Sequence, residues 1–190
     1  MKHFVLLLIV LVCLASCSKT ETHQINGVEY AVTPVDSSSN YLVESPSFSG
    51  VIFDKQKRPH TDVFTLRMLV RPTQEEKVTA FTPSLEEVIE AEKILKRCVE
   101  VDKIGADSME IWEGAIRELP LYRRQYFGAI NGKGQKLIWI NCFSKKTDFM
   151  RFDWRTKVVS VDDGGDWFFN IVTNIDTHEC YGFFRNSIGG

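Results

Sequence analysis

His178 and Cys180 stand two residues apart near the end of the chain, where a strand would put an imidazole and a thiol on one face. A nucleophile beside its general base, or half of a metal site, has this form. No second pair completes it. His23 and His60 are the other histidines after residue 17, and neither lies at a helical or hairpin ligand spacing from another. The pair therefore reads as a turn histidine next to a core or paired cysteine. Asp162, Asp163 and Asp166 surround Gly164-Gly165 and could offer carboxylates to calcium. A calcium loop needs more oxygen ligands and a closing Glu, whereas acids and glycines in this order suit a hairpin tip. Lys55, Lys57, Arg58 and His60 form a small basic cluster that reads as a solvated loop rather than a phosphate site. The residues imply no catalytic constellation, metal set or cofactor. With 23 basic against 25 acidic residues and a net charge of -2, charge gives no reason to expect nucleic acid as a partner.

Cys98, Cys142 and Cys180 can each be small buried hydrophobes. An oxidising compartment would also allow one disulfide among them, with one thiol left over. The expectation here is three buried thiols.

The element that must position all of this is one long amphipathic helix, predicted over about residues 83–101. Thr82-Pro83 offers a start signal, with a hydroxyl cap and proline at the first helical position. Ser84 and Glu87 offer a competing capping box two residues later. Leu85, Val88, Ile89, Ala91, Ile94, Leu95, Cys98 and Val99 recur mostly at steps of three and four. Glu86, Glu87, Glu90, Lys93, Lys96 and Arg97 take the other side, acids first and bases later, as the helix dipole favours. Met109 to Leu119 suggests a second, short helix ended by Pro120.

Around the helix the period changes to two. Phe64 to Val70 reads as a strand, and so do Tyr122 to Ile130, Lys136 to Phe143, Arg155 to Val161, Asp166 to Thr173 and Glu179 to Arg185. Asn131-Gly132-Lys133-Gly134 is a strong hairpin signal. Ile25 to Val32 is a weaker candidate that either docks on the domain or is presented to a partner. The fold class is α+β: the helix packed on an antiparallel meander of four to six strands.

Two strands are apolar on both faces. Leu137, Trp139 and Phe143 oppose Ile138, Ile140 and Cys142; Trp167, Phe169 and Ile171 oppose Phe168 and Val172. A sheet with one helix on one side should alternate apolar with polar. Either residues 25–70 cover the far face, or that face is open and binds a partner. Trp139, Phe143, Trp167 and Phe169 are the candidate partner-binding residues.

The first residues carry an export signal: Lys2 and His3, then an apolar run from Phe4 to Leu14, too short for a stable bilayer span. The run ends Leu14-Ala15-Ser16-Cys17, which resembles the bacterial lipoprotein lipobox. Cys13 is a poorer fit, since Val12 is too large before a cut. The resemblance implies removal of residues 1–16, a diacylglyceryl thioether on Cys17 and an acylated amine there, palmitate being the usual chain. Ser18 after the cysteine, rather than Asp, resembles an outer-membrane address. Two or three acyl chains hold a protein on a membrane, since each buried CH2 contributes about 0.8 kcal/mol. Residues 17–47 read as a partly ordered tether, and 48–190 as a single domain.

A strand, a long helix and then a meander resemble the cystatin-like arrangement. FTPSLEEVIEAEKIL, YRRQYFGAINGKGQKLIWINCF and VSVDDGGDWFFNIVTN are similar to an uncharacterised family of bacterial secreted and lipid-anchored proteins. Thiol-protease inhibition does not carry over, because the chain has neither a Gln-x-Val-x-Gly nor a Pro-Trp hairpin. The functional expectation is a lipid-anchored cell-envelope protein with a non-catalytic binding or scaffolding role, its partner being protein, peptide or glycan. A hydrolase with a site in a helix–sheet cleft and a self-associating structural lipoprotein are the alternatives.

Overall fold

A computed structural model of the chain describes residues 19–35, 38–57, 78–100 and 118–187. The lipobox, the expected strand Phe64 to Val70, His60, and Met109 to Arg117 of the expected second helix lie outside the described residues. Within them the chain is α+β. One helix, α1 (Leu85–Glu100), packs on a sheet of nine strands: β1 (Glu21–Ile25), β2 (Val28–Pro34), β3 (Tyr41–Glu44), β4 (Ser49–Ile52), β5 (Thr79–Phe81), β6 (Tyr122–Ile130), β7 (Lys136–Ser144), β8 (Phe168–Asn174) and β9 (Glu179–Arg185). The expectation of four to six strands is too low, and the reason lies in the N-terminal stretch. Of the residues read as a tether, 21–25, 28–34 and 41–44 are strands, which is the docked alternative. Asn26 and Gly27 both take positive φ, 52° and 77°, the geometry of the two-residue hairpin turn that joins β1 to β2.

The strand order is β1-β2-β3-β4-β6-β7-β8-β9, antiparallel throughout except where β4 meets β6 in parallel. The chain needs a crossover to make that parallel pair, and α1 lies within it. One edge of β6 is shared. β4 takes Arg123 to Tyr126, and β5 takes Gly128 to Ile130 in the opposite sense. Both junctions are tight. A Cβ on Gly50 would sit 2.5 Å from a Tyr126 ring carbon and 2.9 Å from the Arg124 carbonyl oxygen. Gly50→Ala is therefore expected to cost about 2 kcal/mol, as overpacking does, read as a lower urea midpoint. An unchanged midpoint would mean that β4 does not pack against β6 as described.

The two start signals of the helix are resolved by hydrogen bonding. The Ser84 hydroxyl accepts from the Glu87 N–H at 3.3 Å, and the Glu87 carboxylate accepts from the Ser84 N–H at 2.8 Å, a reciprocal capping box. Thr82 is used elsewhere: its hydroxyl donates to Asp54 and accepts from the Lys55 N–H, both at 3.0 Å. Val88, Ile89, Ala91, Ile94, Leu95, Cys98 and Val99 are all buried, as their spacing predicts. They meet Tyr122, Tyr126, Ile138, Ile140, Cys142, Phe169 and Ile171 on one face of the sheet.

The opposite face is closed too: among the described residues Leu42, Val51 and Phe53 join its apolar cluster, and the larger cover comes from further along the chain. Residues 151–163, expected to contain a strand over Arg155 to Val161, pair with no strand. They form a strap whose Phe152, Trp154, Val158, Val159 and Val161 pack onto the far-face side chains of β6, β7 and β8. Strand-like composition here serves a segment that crosses a sheet instead of extending it.

Candidate functional site

An extended strap with no strand partner must satisfy its backbone groups some other way. Two amides in the middle of the sheet do so. Gln125 of β6 donates to the Trp154 and Lys157 carbonyl oxygens, both at 2.7 Å, and accepts from the Val159 N–H at 2.9 Å. Asn141 of β7 donates to the Val159 oxygen at 2.8 Å and to the Gln125 side-chain oxygen at 3.0 Å. Asn40 donates to the Arg155 oxygen at 3.0 Å, and Asn186 donates to the Val161 oxygen at 2.7 Å. Sequence reasoning passed over Gln125 and Asn141. The available signal was an amide amid apolar neighbours on that face, Gln125 before Phe127 and Ala129, and Asn141 between Trp139 and Phe143. Gln125→Leu is expected to leave three strap backbone groups without partners, costing about 3 kcal/mol, and to open residues 152–158 to limited proteolysis. Resistance to cleavage equal to wild type would contradict the clamp.

The strap decides the fate of the candidate binding residues. Trp139 and Phe143 lie beneath it, 6% and 2% exposed. Phe169 lies on the other face, under the helix, at 1%. Only Trp167, at 42%, faces solvent, because it sits in the 3-10 turn Gly165–Trp167 before β8 rather than within the strand. The four residues are not brought together on one surface.

The His-x-Cys pair holds no thiol. Cys180 is bonded to Cys98, with 6.5 Å between their Cα atoms, so a disulfide joins the last turn of the helix to strand β9. That corrects the expectation of three buried thiols. Cys142 alone of the three is free, and burial pushes its thiol well above the usual range, away from nucleophilic use. His178 is a turn residue at φ 56°. Its ring lies 3.2 Å from the Glu90 carboxylate, and its carbonyl accepts from Arg97. Asp166 pairs with Arg185 at 2.9 Å, while Asp162 and Asp163 are exposed in the turn. Among the described residues no group of three or more His, Cys, Asp or Glu could hold a metal ion.

Between helix and sheet lies a charged buried group, also passed over in the sequence. Arg124 of β6 is 1% exposed and meets Glu92 at 2.9 Å; it also donates to the Tyr122 oxygen. The Tyr126 hydroxyl donates to the same Glu92 oxygen at 2.8 Å. Burial would lower the Arg124 pKa, but the adjoining carboxylate raises it above its ordinary value, so the guanidinium stays charged. Burial first, and then Glu92, push the Tyr126 phenol up, so it stays a neutral donor. Arg124 and Tyr126 are fully buried, Glu92 is partly so, and the group pins the helix to the sheet.

What the fold leaves open lies at one end. Tyr122 pairs with Ser144 and Phe143 with Phe168, so the start of β6, the end of β7 and the start of β8 are neighbours. The turns Leu119–Leu121, Lys145–Met150 and Gly165–Trp167 cap that end. They are tied together: Lys145 donates to the Pro120 oxygen at 2.9 Å, Arg123 of β6 pairs with Asp148, and the Tyr122 hydroxyl donates to the Asp166 oxygen at 2.7 Å. Leu121 (39%), Phe149 (71%), Met150 (43%) and Trp167 are the exposed large apolar side chains of these turns. No family model matches the chain, and no curated protein or solved structure shows significant similarity to it.

Proposed function

We propose that this is a lipid-anchored protein of the cell envelope with a non-catalytic binding or scaffolding role. The observation that carries the reading is the Cys98–Cys180 disulfide, taken together with Leu14-Ala15-Ser16-Cys17. Disulfides persist in oxidising compartments and are rare in a reducing cytosol, so a structural one agrees with an exported chain. The lipobox then supplies the means of retention on a membrane, and Ser18 favours the outer membrane. A non-catalytic role is supported by what became of the reactive groups. Cys180 is oxidised, Cys142 is buried as a thiol, and among the described residues apolar side chains pack the helix onto the sheet. A cystatin-like core is the finer reading of the fold. The succession β5, α1, β6 to β9, with β5 beside β6, supports it, and β1 to β4 are then an addition on the shared edge.

The test is metabolic labelling with a clickable palmitate analogue. Wild type and Cys13→Ala are expected to take the label and Cys17→Ala to lose it. Label persisting in Cys17→Ala would overturn the anchoring.

A further inference from the structure

Acyl chains on Cys17, proposed above, decide which part of the fold meets the bilayer, and this inference rests on that anchoring. Two residues lie between Cys17 and Thr20, so their Cα atoms are at most about 11 Å apart. Thr20 is tied to the sheet. It continues β1 beyond the Glu21–Val32 pair, and its hydroxyl lies 2.8 Å from that of Thr33 across the ladder. The chain therefore runs toward Cys17 at the end where β2 finishes and β3 begins. One step on, Pro34 pairs with Tyr41, and Tyr41 with Ile52. Asn40 binds the segment after β4 to the same end, its side-chain oxygen accepting from the Asp54 N–H at 3.1 Å. Ile25, before the Asn26-Gly27 turn, lies about 17 Å further along β1, away from the anchor.

The surface at the anchored end suits lipid headgroups. Tyr41 is 43% exposed, and Lys19, Ser39 and Lys55 are exposed around it. An aromatic ring with a polar tip, flanked by lysines, is favoured where membrane meets water. Among the described residues two acids lie close by. Asp54 is engaged, accepting from the Thr82 hydroxyl at 3.0 Å and from the Gln56 N–H at 2.8 Å, while Glu21 is exposed. Charge is thus nearly balanced, and the short leash, with the Tyr41 ring, selects this end.

We propose that the end carrying Tyr41 and Lys55 is seated on the phospholipid surface that the acyl chains of Cys17 enter, giving the domain one orientation on the membrane. The test uses the full, acylated protein in phosphatidylethanolamine–phosphatidylglycerol vesicles containing a lipid with a nitroxide on its headgroup. A bimane label is placed at Ser39→Cys or at Glu29→Cys, both exposed positions. Burial of Cys142 and the Cys98–Cys180 bond leave the wild type unlabelled. The label at position 39 is expected to lose most of its fluorescence to the nitroxide, and the label at position 29 to keep its own. Adding Tyr41→Ser/Lys55→Glu should restore most of the fluorescence at position 39 while the protein still floats with the vesicles. An unchanged urea midpoint would verify its fold. A floating protein quenched at neither position, or equally at both, overturns the orientation and leaves the anchor standing. Quenching at position 39 that survives Tyr41→Ser/Lys55→Glu overturns the contact, since the leash alone then sets the distance. A label at position 39 shielded from iodide yet untouched by the nitroxide also overturns it and assigns this end to a second copy of the chain. A chain that carries no lipid at Cys17 and does not float overturns the anchoring itself, and this contact with it.

Discussion

Replacing Cys98 and Cys180 together by alanine is expected to lower the unfolding free energy by about 4 to 5 kcal/mol. The bond closes a loop with a sequence separation of 82 residues, and in the chain-entropy account a loop of that size greatly restricts the unfolded ensemble. Its native role has the same sign. Among the described strands β9 is at the edge of the sheet, paired with β8 in a ladder interrupted by a bulge near Asn170 and Val172. The disulfide, with the Arg97–His178 hydrogen bond, ties that edge to the helix. Urea unfolding of wild type with dithiothreitol should approach the curve of the double variant. Coincidence of the oxidised and reduced curves would mean that the pairing is absent or without consequence.

The second large effect concerns Glu92. Glu92→Ala removes the partner of a guanidinium that is 1% exposed and takes away the acceptor of the Tyr126 hydroxyl. Breaking a buried pair from one side costs about 3 to 5 kcal/mol, because the remaining charge has neither water nor counter-ion. Arg124 cannot escape by losing its proton, since guanidinium deprotonation lies far above any working pH. Replacing both residues, Glu92→Leu with Arg124→Met, should recover most of the loss, since an apolar pair of similar volume fits between helix and sheet. The comparison is a double-mutant cycle by urea unfolding. Losses from the two single changes that simply add would contradict the coupling.

The sequence was most legible where one periodicity met one environment. The helix stripe from Val88 to Val99 faces a sheet along its whole length, so burial repeats the pattern residue by residue. Tyr122–Ile130 and Lys136–Ser144 are flanked by turn residues whose geometry admits few alternatives; Gly134 takes φ 77°, and the Asn131 side chain accepts from the N–H of Lys133 and of Gln135. Legibility failed where one composition serves two structures. Val158, Val159 and Val161 look the same in a strand and in a strap, and the difference lies with distant Gln125 and Asn141. Trp139 and Phe143 resemble an open binding face for as long as the strap over them is read as a strand. The cysteine pairing depended on which strand passes beneath the end of the helix, a matter of topology that three spaced cysteines do not encode. The turns at the open end were the least legible. Trp167, Phe149 and Leu121 lie far apart in sequence, and only the β6–β7–β8 register brings them to one place.

The account stands most directly on the intact mass of the protein extracted from membranes, taken in denaturant before and after reduction with alkylation at each stage. The expected species begins at Cys17 and carries the mass of its acyl groups. One cysteine, Cys142, alkylates without reductant, and Cys98 and Cys180 alkylate only after it. An unacylated chain, or one in which all three cysteines alkylate before reduction, would contradict it.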